Sequence, residues 1–433
     1  MRKGIYEETN PQWLLNVALR DQVASFAEAN ASENPDRLRL RYASDPDRQA
    51  IFAAIDQIEL KRLFRRKLPA ICSNSQTLIP SRLAAEQATD EALGSLHADI
   101  AGDARSVADL TAGLGVDSLS MAASCAARSV VAFEIDPAKA EALRHNAAAL
   151  GLGNLKVVNS DSTAFFMPDS ENELTAYSGS ANLDLIFADP ARRDAEGGRV
   201  YSVADCAPDV VGMQGELLRH AQRVLLKLSP MLDLTEAIRL FPTLSVMRVV
   251  SLRGECKEVL CELSRINGLQ SLECIDILAD GSRRIFPLSA AEFADRIAGV
   301  RYAGKEFPAD DASLAGKWLY EPSSSVMKSG AWGSLCRRYP ALLKADRDTH
   351  LFLSAEHYPD FPGRVLHIKG VVDKKESRRL RGMHCNVAAR NYVMKADLLI
   401  SRLGVKPGGD EYLYGLRLAG KPLLLRAAQS MSR

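Results

Sequence analysis

The chain has no apolar run approaching the ~18 residues of a membrane span, so no spanning helix is expected. It has no CxxC pair among its eight cysteines. That argues against a zinc site or a disulfide framework and points to a reducing cytoplasm. Its seven histidines show no ligand spacing, so no metal is expected. The opening MRKGIYEETNPQWLL holds no secretory apolar core. Internal repeats and low-complexity tracts are also missing. What is present is the balance of an ordinary soluble globular protein: 433 residues, 47% hydrophobic and 25% charged. That length suits two or three domains.

The formal net charge of +1 conceals an asymmetry. Residues 301–433 carry 23 Lys+Arg against 13 Asp+Glu, whereas residues 1–300 carry 32 against 41. Between Arg364 and Lys406 there are 11 basic and 3 acidic residues. A basic segment on an otherwise acidic chain suggests a polyanionic partner, although a solvated basic face is the plainer alternative.

Residues 1–100 read as helical: PQWLLNVALRDQVASFAEANA and RQAIFAAIDQIELKRLFRRKLP space their apolar residues at the helical period. Five short strand-type runs follow, SVADLTAG, SVVAFEID, LKVVNSD, LDLIFADP and RVLLKLSP, with helical stretches between most of them. Such alternation implies a parallel sheet with right-handed crossovers. LSVMRVVSLRGECKEVLCELSR then leaves no room for a helix and predicts an antiparallel hairpin at a sheet edge. Residues 268–345 are weakly patterned, and the end of the chain reads as a small α+β domain.

VADLTAGLGVDSLSMAA is a strand, a glycine turn and a helix. Gly113 and Gly115 would let backbone approach a ligand at the helix N-terminus. Asp109, Glu134 and Asp161 end three successive strands, which in a parallel sheet lines one crevice with acids. Glu134 is placed to bond a ribose diol, Asp161 an adenine edge and Asp109 a cationic group.

These motifs resemble the class I S-adenosylmethionine-dependent methyltransferases. DLTAGLG is similar to that family's first motif, FEID to its ribose motif and the pair Ser160-Asp161 to its adenine motif. Thr111 stands where the commoner GxGxG form has its first glycine. The resemblance implies an α/β fold with a Rossmann-like seven-stranded sheet and S-adenosyl-L-methionine as cofactor. It places Asp109, Thr111, Gly113 and Gly115 near the methionine moiety, Glu134 near the ribose and Asp161 near the adenine. It also implies four segments: a helical domain (1–100), the methyltransferase domain (101–266), a small ferredoxin-like insert (267–345) and a basic THUMP-like domain (346–433). By analogy with RNA-binding THUMP domains, Lys374, Lys375, Arg378, Arg379, Arg381 and Arg390 would contact phosphates of tRNA or rRNA. The cluster KRLFRRK (61–67) is either a second basic patch or a helix face.

The fourth strand ends in Asp189-Pro190-Ala191-Arg192. Methyltransferases that act on exocyclic base amines have (D/N)-P-P-(F/Y/W) here. The resemblance makes Asp189 and the Pro190 carbonyl acceptors for the amine. Arg192 replaces the aromatic residue, and it can stack through its guanidinium plane or pin a phosphate. Alternatively, Asp189 is a helix cap or an ion-pair partner of Arg192 or Arg193. Lys227 and Ser229 either line the pocket or support it. Cys206 reads as a packed thiol, and no cysteine follows the fifth strand as uracil-C5 methyltransferases require. The expected function is methylation of a base nitrogen in structured RNA. The alternatives are a small-molecule or protein methyltransferase, or a cofactor-binding RNA adaptor without transfer.

Overall fold

The computed structural model describes residues 11–429, apart from 125, 167–174, 176, 178, 180–181, 193–202 and 204–205. Arg193 and Asp194 therefore lie outside the described residues, and of Arg192 only the backbone is described. The chain divides into two compact units. The first runs to Ser245 and takes up Val259–Gly268; the second holds Val246–Glu258 and everything from Leu269 onward. No helix among the described residues is long and apolar enough to cross a membrane.

The first unit opens with helices, among them α1 (Val17–Ala29), α2 (Arg48–Phe64), α3 (Arg82–Gln87) and α4 (Glu91–Ala101). Strands and helices then alternate: β1 (Ser106–Asp109), α5 (Val116–Ala123), β2 (Ser129–Phe133), α6 (Pro137–Ala149), β3 (Leu155–Val158), β4 (Leu183–Ala188), α7 (Val210–His220) and β5 (Ala221–Leu228). Helix α6 starts where the residues dictate: Asp136 caps it by accepting from the Ala138 and Lys139 N–H groups, and Pro137 occupies its first turn. The parallel order is β3-β2-β1-β4-β5. Val107, Val130, Val131, Leu185, Ile186 and Leu225 are all at most 1% exposed, each worth about 1.5–3 kcal/mol of burial. These strands are covered on both faces, which is why they read as unbroken apolar runs.

The expected hairpin consists of β6 (Leu244–Leu252) and β7 (Glu255–Ser264), turning at Arg253 and Gly254 with positive φ at both. Within the first unit, the latter part of β7 runs antiparallel to β5. The hairpin is not at a sheet edge, however. In the second unit β8 (Ser271–Ile277) pairs with β6 in parallel register, and β9 (Arg283–Ser289) pairs antiparallel with β8. The apolar residues of β6 are buried toward both faces, a pattern that favours a partner on each side and was read as an edge because residues 268–345 carry so weak a signal.

The helical segment belongs to the same compact unit as the parallel sheet. Trp13, Val23, Ile51, Ile55 and Leu78 share a core with Ala138 and Ala142 of α6. Between α2 and α3 the extended residues Thr77–Pro80 are buried. Two side-chain amides replace the strand neighbours this stretch lacks. Gln57 exchanges two 2.8 Å hydrogen bonds with the backbone of Ile79. Asn146 of α6 does the same with Leu78, at 2.7 and 2.9 Å. Leaving either backbone group unpaired would cost about 1–3 kcal/mol.

The second unit continues with an eight-stranded sheet that runs through residues 318–429. Its main strands are β10 (Trp318–Pro322), β11 (Phe352–Ser354), β12 (Gly363–Val371), β13 (His384–Arg390), β14 (Glu411–Leu418) and β15 (Lys421–Gln429). They lie in the order β11-β10-β12-β15-β14-β13. Strand pairing therefore crosses the boundary expected at 345/346. Helices α8 (Lys374–Arg379) and α9 (Ala396–Leu403) flank β13 in sequence.

Candidate active site

The carboxyl ends of β1 and β4 and the turn before α5 meet at one cleft. Thr111, Gly113, Gly115, Asp117 and Asp189 line it, with Gln87 from the end of α3, Thr89 from the connection to α4 and Lys139 from α6. Lys67 anchors the end of α3 by donating to the carbonyls of Ala85 (2.9 Å) and Glu86 (2.6 Å). Two other members of the 61–67 cluster are similarly engaged: Lys61 on Asn74 and Ser75, Arg62 on Ala31 and Glu33. Burial lowers the Lys61 pKa to about 8. These three cations support the chain, whereas Arg65 and Arg66 are exposed.

The two glycines have different reasons to be glycine. Both have positive φ, 58° at Gly113 and 88° at Gly115. A Cβ on Gly113 would meet open space, so ligand atoms can come close to the backbone here. A Cβ on Gly115 would lie 2.1 Å from Leu143 Cδ1, so this glycine permits contact with α6.

The strand-end acids also separate. Glu134 Oε2 accepts from the Gly113 N–H at 2.7 Å and Oε1 from the Asp136 N–H at 2.8 Å. Each oxygen keeps a lone pair, which fits a ribose diol. The neighbouring Ile135 is 71% exposed, an apolar surface beside that acid which no polar motif advertises in sequence. Asp161 is exposed and accepts from the Thr163 N–H and hydroxyl, at 2.9 and 2.8 Å.

Asp109 turns inward. It is fully buried and accepts from the Thr111 N–H at 3.0 Å and from the Ser118 hydroxyl. Burial, with the charges of Asp117 and Asp189 behind it, raises its pKa to about 7. Its carboxylate thus orders the glycine turn from beneath. Asp117, also buried, accepts from the Thr89 hydroxyl and is hydrogen-bonded to His97 Nδ1, both at 2.6 Å. Burial pushes its pKa up, but His97, Lys227 and Thr89 outweigh that and hold it below the usual carboxylate range.

On the acceptor side, the Asp189 N–H donates to Thr111 Oγ1 at 2.7 Å. Its carboxylate pairs with Lys227 from the end of β5, 38 residues away. Pro190 is buried. The Arg192 backbone pairs with that of Cys206, which is half-buried. In the second unit, Lys374, Lys375, Arg378 and Arg379 share α8, and exposed Arg381 follows it. Arg390 stands apart at the end of β13. It forms an ion pair of 2.8 Å with Glu321, which also accepts from Arg364 at 3.0 Å and from Tyr414 Oη at 2.6 Å.

A family model described as a ferredoxin-like domain matches residues 318–362. No curated protein matches the chain. Among solved structures, the chain is similar to a protein of Porphyromonas gingivalis W83 assigned as a methyltransferase. They are 26% identical over 96% of this chain and 99% of that one, with a TM-score of 0.80. It is similar over 60% of its length to a Listeria monocytogenes protein assigned to the class I S-adenosylmethionine-dependent methyltransferases (10% identity, 93% of that chain, TM-score 0.35). It is similar over 41% to an rRNA methylase of Streptococcus thermophilus (15% identity, 95% of that chain, TM-score 0.27). The chain thus shares a mixed α/β fold, nearly end to end, with a protein assigned as a methyltransferase.

Proposed function

We propose that the chain is an S-adenosylmethionine-dependent methyltransferase whose acceptor is a base nitrogen of structured RNA. One observation carries this reading: the hydrogen bond from the Asp189 N–H to Thr111 Oγ1. It joins the glycine turn, where the donor would lie, to the acid that would receive the acceptor. The likeness to the Porphyromonas protein supports the same class.

The residues fit the cofactor. Open space at Gly113, the remaining lone pairs of Glu134 and the apolar surface of Ile135 suit, in turn, the amino-acid end, the ribose and the base. When bound, the cofactor supplies an activated methyl on a sulfonium. Asp189 and the Pro190 carbonyl hold the acceptor amine with its lone pair in line, and alignment is the main requirement. As the nitrogen took the methyl it would give up one proton, which Asp189 or water would accept. Lys227, paired with Asp189, donates to an oxygen or ring nitrogen beside the amine. That arrangement suits a nucleobase edge, where donor and acceptor are adjacent. Arg192 holds the extruded nucleotide. Strands β6 and β7 would supply the last two strands of the expected seven, in a sheet that β8 and β9 extend to nine, and residues 346–433 would form the THUMP-like, RNA-facing segment.

The test is methyl transfer from labelled cofactor to RNA from a strain lacking the protein, with mass spectrometry of the nucleosides. One newly methylated nucleoside is expected. Wild-type protein that binds both ligands yet never transfers would replace this reading with the adaptor.

A further inference from the structure

We propose that the cleft between β12, α8 and β15 seats a phosphate of a nucleic-acid strand. Lys369, Lys375, Arg379 and Arg426 line it together with Asp373 and Glu376, around a concave space of about 490 Å³. That is within the range of small-ligand sites and leaves room for a phosphodiester with its sugar. A β-bulge builds one wall. Ile368 lies opposite Ala427 and Gly370 opposite Arg426, so Lys369 is an extra residue in β12, and a bulge re-aims the side chain it inserts.

The two acids of the cleft are already engaged. Asp373 caps α8 by accepting from the Glu376 N–H at 2.7 Å. Glu376 pairs with Arg426 at 2.6 Å and Arg379 at 3.5 Å, and Arg426 also pairs with Glu411 at 2.9 Å. These contacts orient the guanidinium groups without covering the lysines. Lys369 and Lys375 are exposed and enter no ion pair among the described residues. Arg426, whose three nitrogens all donate to Glu411 and Glu376, fixes the wall, and the Arg379 guanidinium and two ammonium groups without ion pairs match the several oxygens of a phosphate. Arg426 lies outside the basic segment from Arg364 to Lys406, so charge density along the chain does not reveal it.

This inference rests on the RNA reading, and the experiment separates their failures. Full-length protein is titrated with a labelled single-stranded 12-nucleotide RNA, without cofactor and over a range of salt. Inorganic phosphate serves as competitor. Lys369→Glu/Lys375→Glu should weaken RNA binding at least ~10-fold and flatten the salt slope by about 1.4, two contacts' worth for a single strand. Phosphate should compete on wild type and lose that effect on the variant. Lys406→Glu, a charge reversal outside the cleft, should leave phosphate competition intact. If the double Glu variant unfolds, Lys369→Gln/Lys375→Gln takes its place, with the same expected direction. Unchanged RNA affinity and slope in a folded variant overturn the seat while the RNA reading stands. Phosphate binding without any RNA binding by wild type overturns both.

Discussion

Two buried carboxylates, one in each unit, are handled in opposite ways. Asp117 in the first unit is held by Thr89 and His97, and His97 is as buried as the acid itself. Glu321 in the second unit is held by buried Tyr414, but also by Arg364 and Arg390, whose side chains remain 45% and 50% exposed. In the first arrangement the contacts fix the chain in the wall of a cleft, and every partner is buried. In the second the acid serves as an anchor for cations presented to solvent. Whether a buried acid stabilises the interior or organises the surface is decided by the exposure of its partners.

The sharpest way to test that contrast is His97→Ala. It strands Asp117 in the interior, and removing one member of a buried pair costs about 3–5 kcal/mol. Urea unfolding should show the loss; a cost below 1 kcal/mol would erase the distinction. Asp189→Ala probes the cleft itself. Transfer should fall at least ~100-fold, the order expected when a positioning group is lost. Cofactor affinity should stay within about threefold because this acid belongs to the acceptor side. Transfer at the wild-type rate would make the acid structural. Glu134→Ala should cost S-adenosylhomocysteine binding at least ~1.5 kcal/mol, typical of hydrogen bonds to a charged group, and calorimetry reads it directly.

Asp109 gives the interior a pH signature. Its native pKa is raised to about 7 by burial, so the folded chain keeps a proton there that the unfolded chain releases. Its contribution to stability is therefore complete below the ordinary carboxyl range and declines as pH rises toward about 7. Asp109→Asn has no such slope. The stability difference should move in the variant's favour between pH 5 and pH 8; a constant difference would mean an acid ionised throughout. The smallest effect belongs to Arg390→Ala. Glu321 keeps Arg364 and Tyr414, and a half-exposed pair contributes about 0–1 kcal/mol, so the unfolding midpoint should barely move.

The strand ends were legible because each parallel strand is a short apolar run that stops at a polar residue, as in Phe187-Ala188-Asp189. Which way each acid points was not. Asp109 faces inward because Ser118, a turn and a half-helix away, offers it a hydroxyl, and sequence spacing carries no sign of that contact. The His97–Asp117 and Asp189–Lys227 pairs span 20 and 38 residues and join different elements. The second strand pairing of β6 escaped notice because its partner β8 lies in the weakly patterned stretch. Arg390 belonged to a basic run by sequence, yet the fold draws it to Glu321 and away from α8.

The double amide clasp on Leu78 and Ile79 sets an order of assembly. Gln57 lies 22 residues upstream of Ile79, whereas Asn146 lies 68 residues downstream of Leu78. Both amides flank the stretch that leads into the Gln87–Thr89 lip of the cleft. During synthesis the lip has its upstream support early and must wait for α6 to supply the other. Closing that longer loop adds an entropic cost that grows only as the logarithm of its length. The lip is thus set only once α6 has docked. A ligand that needs the lip binds only chains that have completed that event. At about 100 times its dissociation constant it would hold them there by about 2.7 kcal/mol, making occupancy of the cleft a form of quality control on the whole unit.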